Sequence, residues 1–386
     1  MKMDSEKRYQ RLLERYGNGD IDRRSFFGLL GTAGVAAGIA GGPLAGWSRQ
    51  AWAAVEQVRF DGWGGVVSEA LRKHAFDPYE KETGIKVVDA TFGGEEEILT
   101  KAKAGQPGEF NLVHSSGVAW YKRWIDAGYG VALNFDNIPN VQNVMPALIA
   151  PFEKITPDAL SAVPYDYGTT GIAYNTNHIS KEEAESLGAN LLLKPELKDK
   201  VGAWGDSFQT RVWFGALQTG QDPNNVQDIE AVWDKVREHR GLVKKYWGSG
   251  AELMSLLAEE EIWVTEAWSG RVAALQQQGH PIGYMDPPNG LAWMEDMFVI
   301  KGSPVAECEQ LLNFMLETDV AIAVAEGQNY PPSLDPTKVD LTDKIKALPA
   351  FDPTGKMDKL TFGDPDYWTE NEAEWKKTWN RIKKGF

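Results

Sequence analysis

The residues best suited to chemistry lie in LAWMEDMFVI, residues 291–300, an apolar and aromatic segment that follows the turn signal PPNG. This pattern predicts a β-strand. Side chains two positions apart share one face of a strand, so Trp293 and Glu295 project together. An indole beside a carboxylate suits an organic cation, because the ring face attracts positive charge and the carboxylate is its counter-ion. A strand tryptophan is more often a core residue, but an unpaired buried Glu295 would be costly, which favours a site.

Two further tryptophans occur where α/β proteins hold their ligands. The segment EIWVTEA, residues 261–267, predicts a strand that delivers Trp268 to a turn before a helical run at residues 271–278. Trp63 lies among glycines directly after the short predicted strand at residues 58–61. Ligand-binding groups collect at the carboxyl ends of parallel strands, so both indoles are candidates for a cation site. Packing in the core is the alternative for Trp63.

The elements that must position these residues alternate between strands and helices. The strand at residues 58–61, a helix over residues 68–82 and the strand IKVVDA at residues 85–90 form a βαβ unit. FNLVH, residues 110–114, predicts the next strand, and Ser115 follows it at a helix N-terminus that could hold an anionic or polar group. Simple helix capping is the alternative for Ser115. The alternation predicts an α/β fold.

Composition restricts the classes of function. The chain has 386 residues with 42% hydrophobic and 11% aromatic content, enough for two or three domain-sized units. The net charge of −15 repels phosphate backbones, so nucleic-acid binding is not expected. A single cysteine, Cys308, excludes an intramolecular disulfide, and its apolar neighbours at helical spacing predict a core position. Trp375 and Trp379 at helical spacing predict that the last helix docks on the core.

The first 53 residues form a candidate export signal. Arg23-Arg24-Ser25-Phe26-Phe27 and the weakly hydrophobic, glycine-rich stretch after it resemble a twin-arginine signal, although Asp22 stands where Ser or Thr is more usual. Ala51-Trp52-Ala53 offers an A-x-A cleavage site, which predicts a mature chain from about Ala54. The expected location is the periplasm. An amphipathic N-terminal helix of the fold is the alternative.

Several segments in order resemble the spermidine/putrescine-type periplasmic solute-binding proteins of ABC importers. They are FDGW, YEKETGIKV, VPYDYGTTGIAYNT, EAWSGRVAALQQQGHPI, LAWMEDMFVIKGSP and LLNFMLETDVAIAVAEGQNYPP. The resemblance implies two α/β lobes joined by hinge strands that close over a ligand in a central cleft. It predicts one lobe at residues 54–165 plus 296–335 and the other at residues 166–295 plus 336–386. It also implies a monomer without cofactor, metal or enzymatic activity, whose partners are ABC permease subunits.

The resemblance assigns cleft aromatics, one carboxylate for a ligand amino group and one polar contact. These residues are Trp63, Trp268, Trp293 and Tyr330, then Glu295, and Ser115. One departure concerns the segment at residues 206–213, which carries acidic groups for the far end of the ligand in the polyamine binders. Phe208 and Arg211 occupy those positions here, and a positive charge there would repel an ammonium and attract a carboxylate.

This departure predicts a zwitterion whose cation lies among the tryptophans and whose carboxylate binds Arg211. Indole faces suit onium groups, so dimethylsulfoniopropionate, a betaine or a choline-like compound leads the candidates. Glu295 is also compatible with a ligand that carries a primary amine. Such a ligand would be a polyamine, for example spermidine or putrescine, or 4-aminobutyrate. The alternative for Arg211 is a surface or lobe-packing role.

Two other functions compete. An exported hydrolase would need catalytic machinery, but the histidines are scattered and neither HExxH nor G-x-S-x-G occurs; paired carboxylates of a glycosidase are not excluded by an acidic composition. A ferric-iron receptor would be expected to use clustered tyrosines. Tyr165 and Tyr167 flank Asp166, but the sequence has no adjacent tyrosine pair. A transport receptor therefore remains the leading function.

Overall fold

The computed structural model describes residues 56–106, 108–157, 159–358 and 360–385. The predicted twin-arginine signal and its cleavage site lie outside these residues. The described strands are β1 (Gln57–Gly62), β2 (Lys86–Thr91), β3 (Leu112–Ser115), β4 (Ala162–Asn175), β5 (Val201–Trp204), β6 (Val243–Trp247), β7 (Val264–Trp268), β8 (Ile282–Met285), β9 (Leu291–Val299) and β10 (Thr361–Phe362).

The helices pack around these strands and are connected by short 3-10 turns. They are α1 (Gly65–Leu71), α2 (Asp77–Thr83), α3 (Glu95–Ala104), α4 (Gly117–Asp126), α5 (Pro146–Glu153), α6 (Lys181–Leu187), α7 (Phe208–Gln218), α8 (Ile229–Arg240), α9 (Gly250–Ala258), α10 (Ser269–Gln277), α11 (Val305–Met315), α12 (Thr318–Gln328), α13 (Asp343–Lys346) and α14 (Pro365–Lys383). No helix in the described part of the chain is long and apolar enough to cross a membrane.

The sheet has two parallel halves on either side of an antiparallel centre. Its strand order is β2-β1-β3-β9-β4-β7-β5-β6, with β10 on β9 and β8 on β4. Strands β1, β2 and β3 are mutually parallel, as are β5, β6 and β7. Strands β9 and β4 are antiparallel to each other and to their outer neighbours. The carboxyl ends of β1, β3 and β7 carry Trp63, Ser115 and Trp268, as predicted from the βαβ pattern.

Strands β4 and β9 form the centre of the sheet and align two acidic residues. All 14 residues of β4 are buried, consistent with a strand covered on both faces. Asp166 of β4 lies opposite Glu295 of β9, and an irregularity between Pro164 and Asp166 shifts the register just before this pair. Pro164 has no N–H to contribute to the ladder, which accounts for an irregularity at this point.

The helix predicted over residues 68–82 is divided in the structure. A π-helical turn, Arg72–Phe76, joins α1 to α2. Pro78 lies in the first turn of α2 and cannot donate a helical hydrogen bond, so the helix changes its bonding pattern just before it. Gly84 ends α2 with a φ of 79°, a left-handed conformation that glycine adopts without steric cost.

Two predictions about the core are confirmed. Trp375 and Trp379 of α14 are buried in one hydrophobic cluster with Trp213 of α7 and Trp233 of α8. Cys308 is fully buried on α11. Burial of these aromatics fixes α14 against α7 and α8, so the C-terminal helix is an integral part of this half of the protein.

Candidate functional site

The candidate site is centred on the pair predicted from strand alternation. Trp293 and Glu295 share one face of β9, and the Glu295 side chain retains 15% of its exposure. Tyr330, which follows α12, meets the Trp293 indole edge-to-face with ring centres 4.9 Å apart at 81°. The structure therefore brings a carboxylate and two predicted aromatic residues into one place.

A hydrogen-bond chain links Glu295 to a second carboxylate. The Tyr165 hydroxyl lies 3.2 Å from Oε2 of Glu295 and 3.4 Å from Oε1 of Gln328. The Gln328 side-chain amide donates to Oδ2 of Asp166 at 2.5 Å. Asp166 is completely buried and lies opposite Glu295 in the sheet. The site thus holds two neighbouring carboxylates joined through Tyr165 and Gln328.

Burial raises the pKa of both carboxyl groups and so disfavours their ionised forms. It raises the pKa of Glu295 to about 7, although the Tyr165 hydroxyl, the positive charge of Arg271 and the Trp63 indole N–H favour the ionised form. Burial also raises the pKa of Asp166 well above its usual range, and the negative charge of Glu295 adds to this effect. Two acids so close cannot both ionise cheaply, so a bound cation would relieve their repulsion.

A buried histidine forms one wall beside Glu295. Nε2 of His114 lies 3.7 Å from Oε2 of Glu295, and its ring stacks on Tyr165 with centres 4.9 Å apart at 27°. Burial lowers the pKa of His114 to about 3. The imidazole is therefore neutral near pH 7 and leaves the negative charge of Glu295 available to a ligand.

The other two predicted indoles occupy different places. Trp63 packs edge-to-face on Phe92 at 4.7 Å, and its indole lowers the pKa of Glu295, so it lies near the Glu295 cluster. Trp268 instead contacts Trp204 at 4.9 Å and Trp247 at 5.2 Å. Trp204 and Trp247 are stacked almost in parallel, at 5.6 Å and 5°. We call these three rings the indole trio.

Ser115 lies on the far side of β9 from Glu295. It pairs with Asp296 in the sheet, is completely buried, and its hydroxyl favours the ionised form of that carboxylate. Successive side chains on a strand point to opposite faces, so Asp296 and Glu295 diverge. The described contact of Ser115 is therefore with the protein's own Asp296, and its contact with a ligand stays a prediction.

The expectation for Arg211 is corrected by the structure. Arg211 lies on α7 with 2% of its surface exposed, and its guanidinium forms an ion pair with Glu266 of β7, which is completely buried. Nη1 of Arg211 also donates to Nδ1 of His239 at 2.9 Å. A buried guanidinium needs such partners, because an unpaired charge in the interior is very costly. The carboxylate that Arg211 contacts thus belongs to the protein itself.

Sequence reasoning missed several residues of the site. Asp166 and Tyr165 lie in the segment VPYDYGTTGIAYNT and Gln328 lies in the segment that ends in QNYPP, but the sequence predicts no ligand contact for these three residues. Arg271 lies within the predicted helical run at residues 271–278, and its guanidinium carbon is 5.8 Å from the centre of the Tyr330 ring. The segment PYDYG offered one signal for Asp166, since an acid between aromatics in a buried strand needs a partner.

Comparison with known proteins identifies related sequences. The family model described as bacterial extracellular solute-binding protein matches residues 74–353. The chain is 27% identical over 329 residues to the putrescine-binding periplasmic protein PotF of Escherichia coli (strain K12), covering 80% of this chain and 87% of the relative. It is 25% identical over 303 residues to the spermidine/putrescine-binding periplasmic protein of Salmonella typhimurium, covering 78% and 81% of the two chains.

Solved structures share the fold. The spermidine/putrescine substrate-binding protein PotD from Streptococcus pneumoniae superposes with a TM-score of 0.70 at 21% identity, covering 85% of this chain and 99% of that one. The Atu4243-GABA receptor superposes with a TM-score of 0.69 at 18% identity, covering 86% and 98%. These similarities confirm the predicted two-lobe α/β fold of periplasmic binding proteins. The predicted lobe boundaries stay a prediction.

Proposed function

Because this chain belongs to the bacterial extracellular solute-binding proteins, we propose that it captures a small organic cation or zwitterion for an ABC importer. The observation that carries this proposal is the largely buried carboxylate of Glu295 beside the Trp293 indole. A carboxylate neutralises a cation, and aromatic faces attract it without requiring hydrogen bonds. The relatives named above as putrescine and spermidine binders support a cationic ligand.

The leading ligands are onium zwitterions of the dimethylsulfoniopropionate or betaine type. An onium group cannot donate hydrogen bonds, so it depends on ring faces and on a diffuse counter-charge, which Trp293, Tyr330 and Glu295 together supply. Each such ring contact contributes about 0.5 to 2 kcal/mol when desolvated. Micromolar binding needs roughly 8 kcal/mol. Several ring contacts of this size together with one ionic contact account for that free energy.

A ligand with a primary ammonium is the second candidate. The Glu295 carboxylate and the Tyr165 hydroxyl lie 3.2 Å apart, so one ammonium could donate to both. Polyamines and 4-aminobutyrate carry such a group. Similarity to a putrescine-binding protein and to the Atu4243-GABA receptor supports a ligand of this class.

We propose that the ligand stabilises a closed form. Tyr330 belongs to the first predicted lobe, whereas Trp293 and Glu295 belong to the second, so a ligand held among these side chains would contact both predicted lobes. A ligand that binds the closed form more tightly shifts the population towards it. Permease subunits in the inner membrane would then recognise that closed form. Export by the twin-arginine route, a periplasmic location and a monomeric state belong to this proposal.

The proposal is tested by calorimetric titration of protein refolded from denaturant to remove bound ligand. The ligands are dimethylsulfoniopropionate, glycine betaine, 4-aminobutyrate and spermidine. We expect micromolar binding of at least one of them, and tight binding of an onium compound alone would identify the preferred class. Failure of all four to bind would overturn the proposal.

A tryptophan variant tests the location of the site. Trp293→Ala removes a ring beside Glu295 and should weaken binding of the tightest ligand at least tenfold. Trp263→Ala is the matched control, because Trp263 is a half-buried tryptophan that stacks on His178 at the opposite end of β7 from Trp268. Equal affinity of the Trp293→Ala and wild-type proteins would remove Trp293 from the site.

A further inference from the structure

Arg271 is a cation placed beside the candidate site. It lies on α10, and its guanidinium carbon is 5.8 Å from the centre of the Tyr330 ring. Its positive charge lowers the pKa of both Asp166 and Glu295, so it acts within electrostatic range of the two carboxylates. It also opposes the rise in the pKa of Tyr330. Arg271 therefore faces the same small region as the aromatic residues of the site.

The guanidinium of Arg271 has no ion pair in the described part of the chain. No described carboxylate lies within 4.0 Å of it, in contrast to Arg211, whose charge is satisfied by Glu266. Arg271 is half-buried, so its charge is neither in the interior nor fully in solvent. A partly desolvated arginine without an anionic partner has its donor groups available for an external anion.

Gly250 leaves space for the Arg271 side chain, because it has no side chain of its own. A Cβ placed on Gly250 would lie 2.6 Å from Nε of Arg271 and 3.3 Å from the Trp268 ring. A side chain at Gly250 would therefore push the guanidinium away from its position. Trp268 and Arg271 thus form one wall, with the arginine between the indole trio and Tyr330.

We propose that Arg271 binds the carboxylate of a zwitterionic ligand whose cationic group lies beside Trp293, Tyr330 and Glu295. This assignment rests on the proposed function and gives its substrate class: a short molecule with an ammonium or onium group at one end and a carboxylate at the other. The planar guanidinium matches a carboxylate with two parallel hydrogen bonds. Arg271 takes the place that sequence reasoning gave to Arg211.

The same geometry disfavours a polyamine. A diamine whose first ammonium lies beside Glu295 would extend its second ammonium towards Arg271, where two positive charges repel each other in a partly dry site. A zwitterion of similar length meets complementary charges at both ends. Discrimination between these two classes is therefore the property that Arg271 controls.

Matched ligand pairs that differ by one carboxylate provide the test. The pairs are glycine betaine with choline and 4-aminobutyrate with butylamine, and putrescine represents the diamines. In the pair whose cationic group the site accepts, calorimetric titration of the wild-type protein should show that the zwitterion binds at least tenfold more tightly than its partner without a carboxylate. Wild-type protein that binds none of these compounds, and neither dimethylsulfoniopropionate nor spermidine, would overturn the proposed function itself. Equal binding of both members would overturn the role of Arg271 alone.

Two variants separate recognition of the carboxylate from support of the site. Arg271→Gln should weaken binding of the zwitterion at least tenfold, leave the partner without carboxylate unchanged or tighter, and strengthen putrescine binding. Arg271→Lys keeps the charge but not the planar fork, so it should retain part of the preference. Arg237→Gln, on the exposed face of α8, is the control. A parallel loss for both members of a pair in Arg271→Gln would show that the residue only holds the site together, and would refute the proposal.

Discussion

At the scale of single residues, the ionisation of Glu295 couples ligand binding to pH. Its pKa is raised to about 7 by burial, and only the ionised form attracts a cation. The fraction of ionised Glu295 therefore rises about tenfold between pH 6 and pH 8. We expect cation affinity to increase by about the same factor over this range, measured by titration at each pH. Glu295→Gln should bind weakly at every pH, and a wild-type affinity independent of pH would contradict the prediction.

The same residue should affect stability with the opposite sign. A carboxyl group whose pKa is higher in the folded than in the unfolded protein opposes folding once it must ionise. The contribution of Glu295 to the free energy of unfolding is therefore lost as the pH rises from about 4.5 towards 7. In ligand-free protein at pH 8, Glu295→Gln should consequently have a Tm at least equal to that of the wild type, although it binds the ligand less well.

The residue scale also shows what a sequence can predict about such a site. Trp293 and Glu295 could be paired because strand alternation is a local rule that needs no other segment. The partner of Arg211 could not be predicted, because Glu266 is distant in sequence and a helical arginine gives no indication of which strand it faces. Arg271 was missed for the same reason, since its neighbour Tyr330 comes from a different element.

At the scale of elements, the close contact between β4 and β9 determines the position of the Trp293 ring. A Cβ on Gly168 of β4 would lie 2.4 Å from Cζ2 of Trp293, so the ring occupies the space that a side chain would need. Gly168→Ala should displace the indole and weaken ligand binding at least tenfold, measured by titration. Gly248→Ala is the control, because its Cβ would meet Asp206 at an ordinary 3.5 Å. Identical affinities in the two variants would contradict this reasoning.

Elements were more predictable than their partners. The strand predicted at residues 291–300 and the helical run predicted at residues 271–278 agree with β9 and α10, because each has a strong local period. The order of the sheet could not be derived from these periods. It places β9 between β3 and β4, and that long-range pairing is what brings Asp166 opposite Glu295.

At the scale of the whole molecule, an ion pair connects the two predicted lobes away from the site. Arg123 of α4 pairs with Glu372 of α14 and lies 3.6 Å from Glu96. The paired side chains are about one quarter exposed, and such pairs contribute about 0.2 to 1 kcal/mol. Glu372→Gln should therefore favour the open form and weaken ligand affinity about two- to fivefold.

The control for this pair is an ion pair within one helix. Lys122 and Asp126 both lie on α4 at 2.7 Å, so Asp126→Asn removes an ion pair without breaking a salt bridge between the predicted lobes. Titration and small-angle X-ray scattering with and without ligand would measure affinity and closure together. The effect of Glu372→Gln should disappear at 1 M salt, where charges on the surface are screened. An effect equal to that of Asp126→Asn would exclude a role in closure.

The indole trio should give the protein a spectroscopic signal that reports whether a ligand is bound. The rings of Trp204 and Trp247 are nearly parallel at 5.6 Å, and Trp268 stands across both of them at 4.9 and 5.2 Å. Chromophores this close share their excited states, so the near-ultraviolet circular dichroism of the trio depends on small changes in ring angle. Trp268 also adjoins Arg271, as the space above Gly250 shows. Any solute that moves this wall would therefore change the spectrum of the unlabelled protein, and the receptor would act as its own sensor.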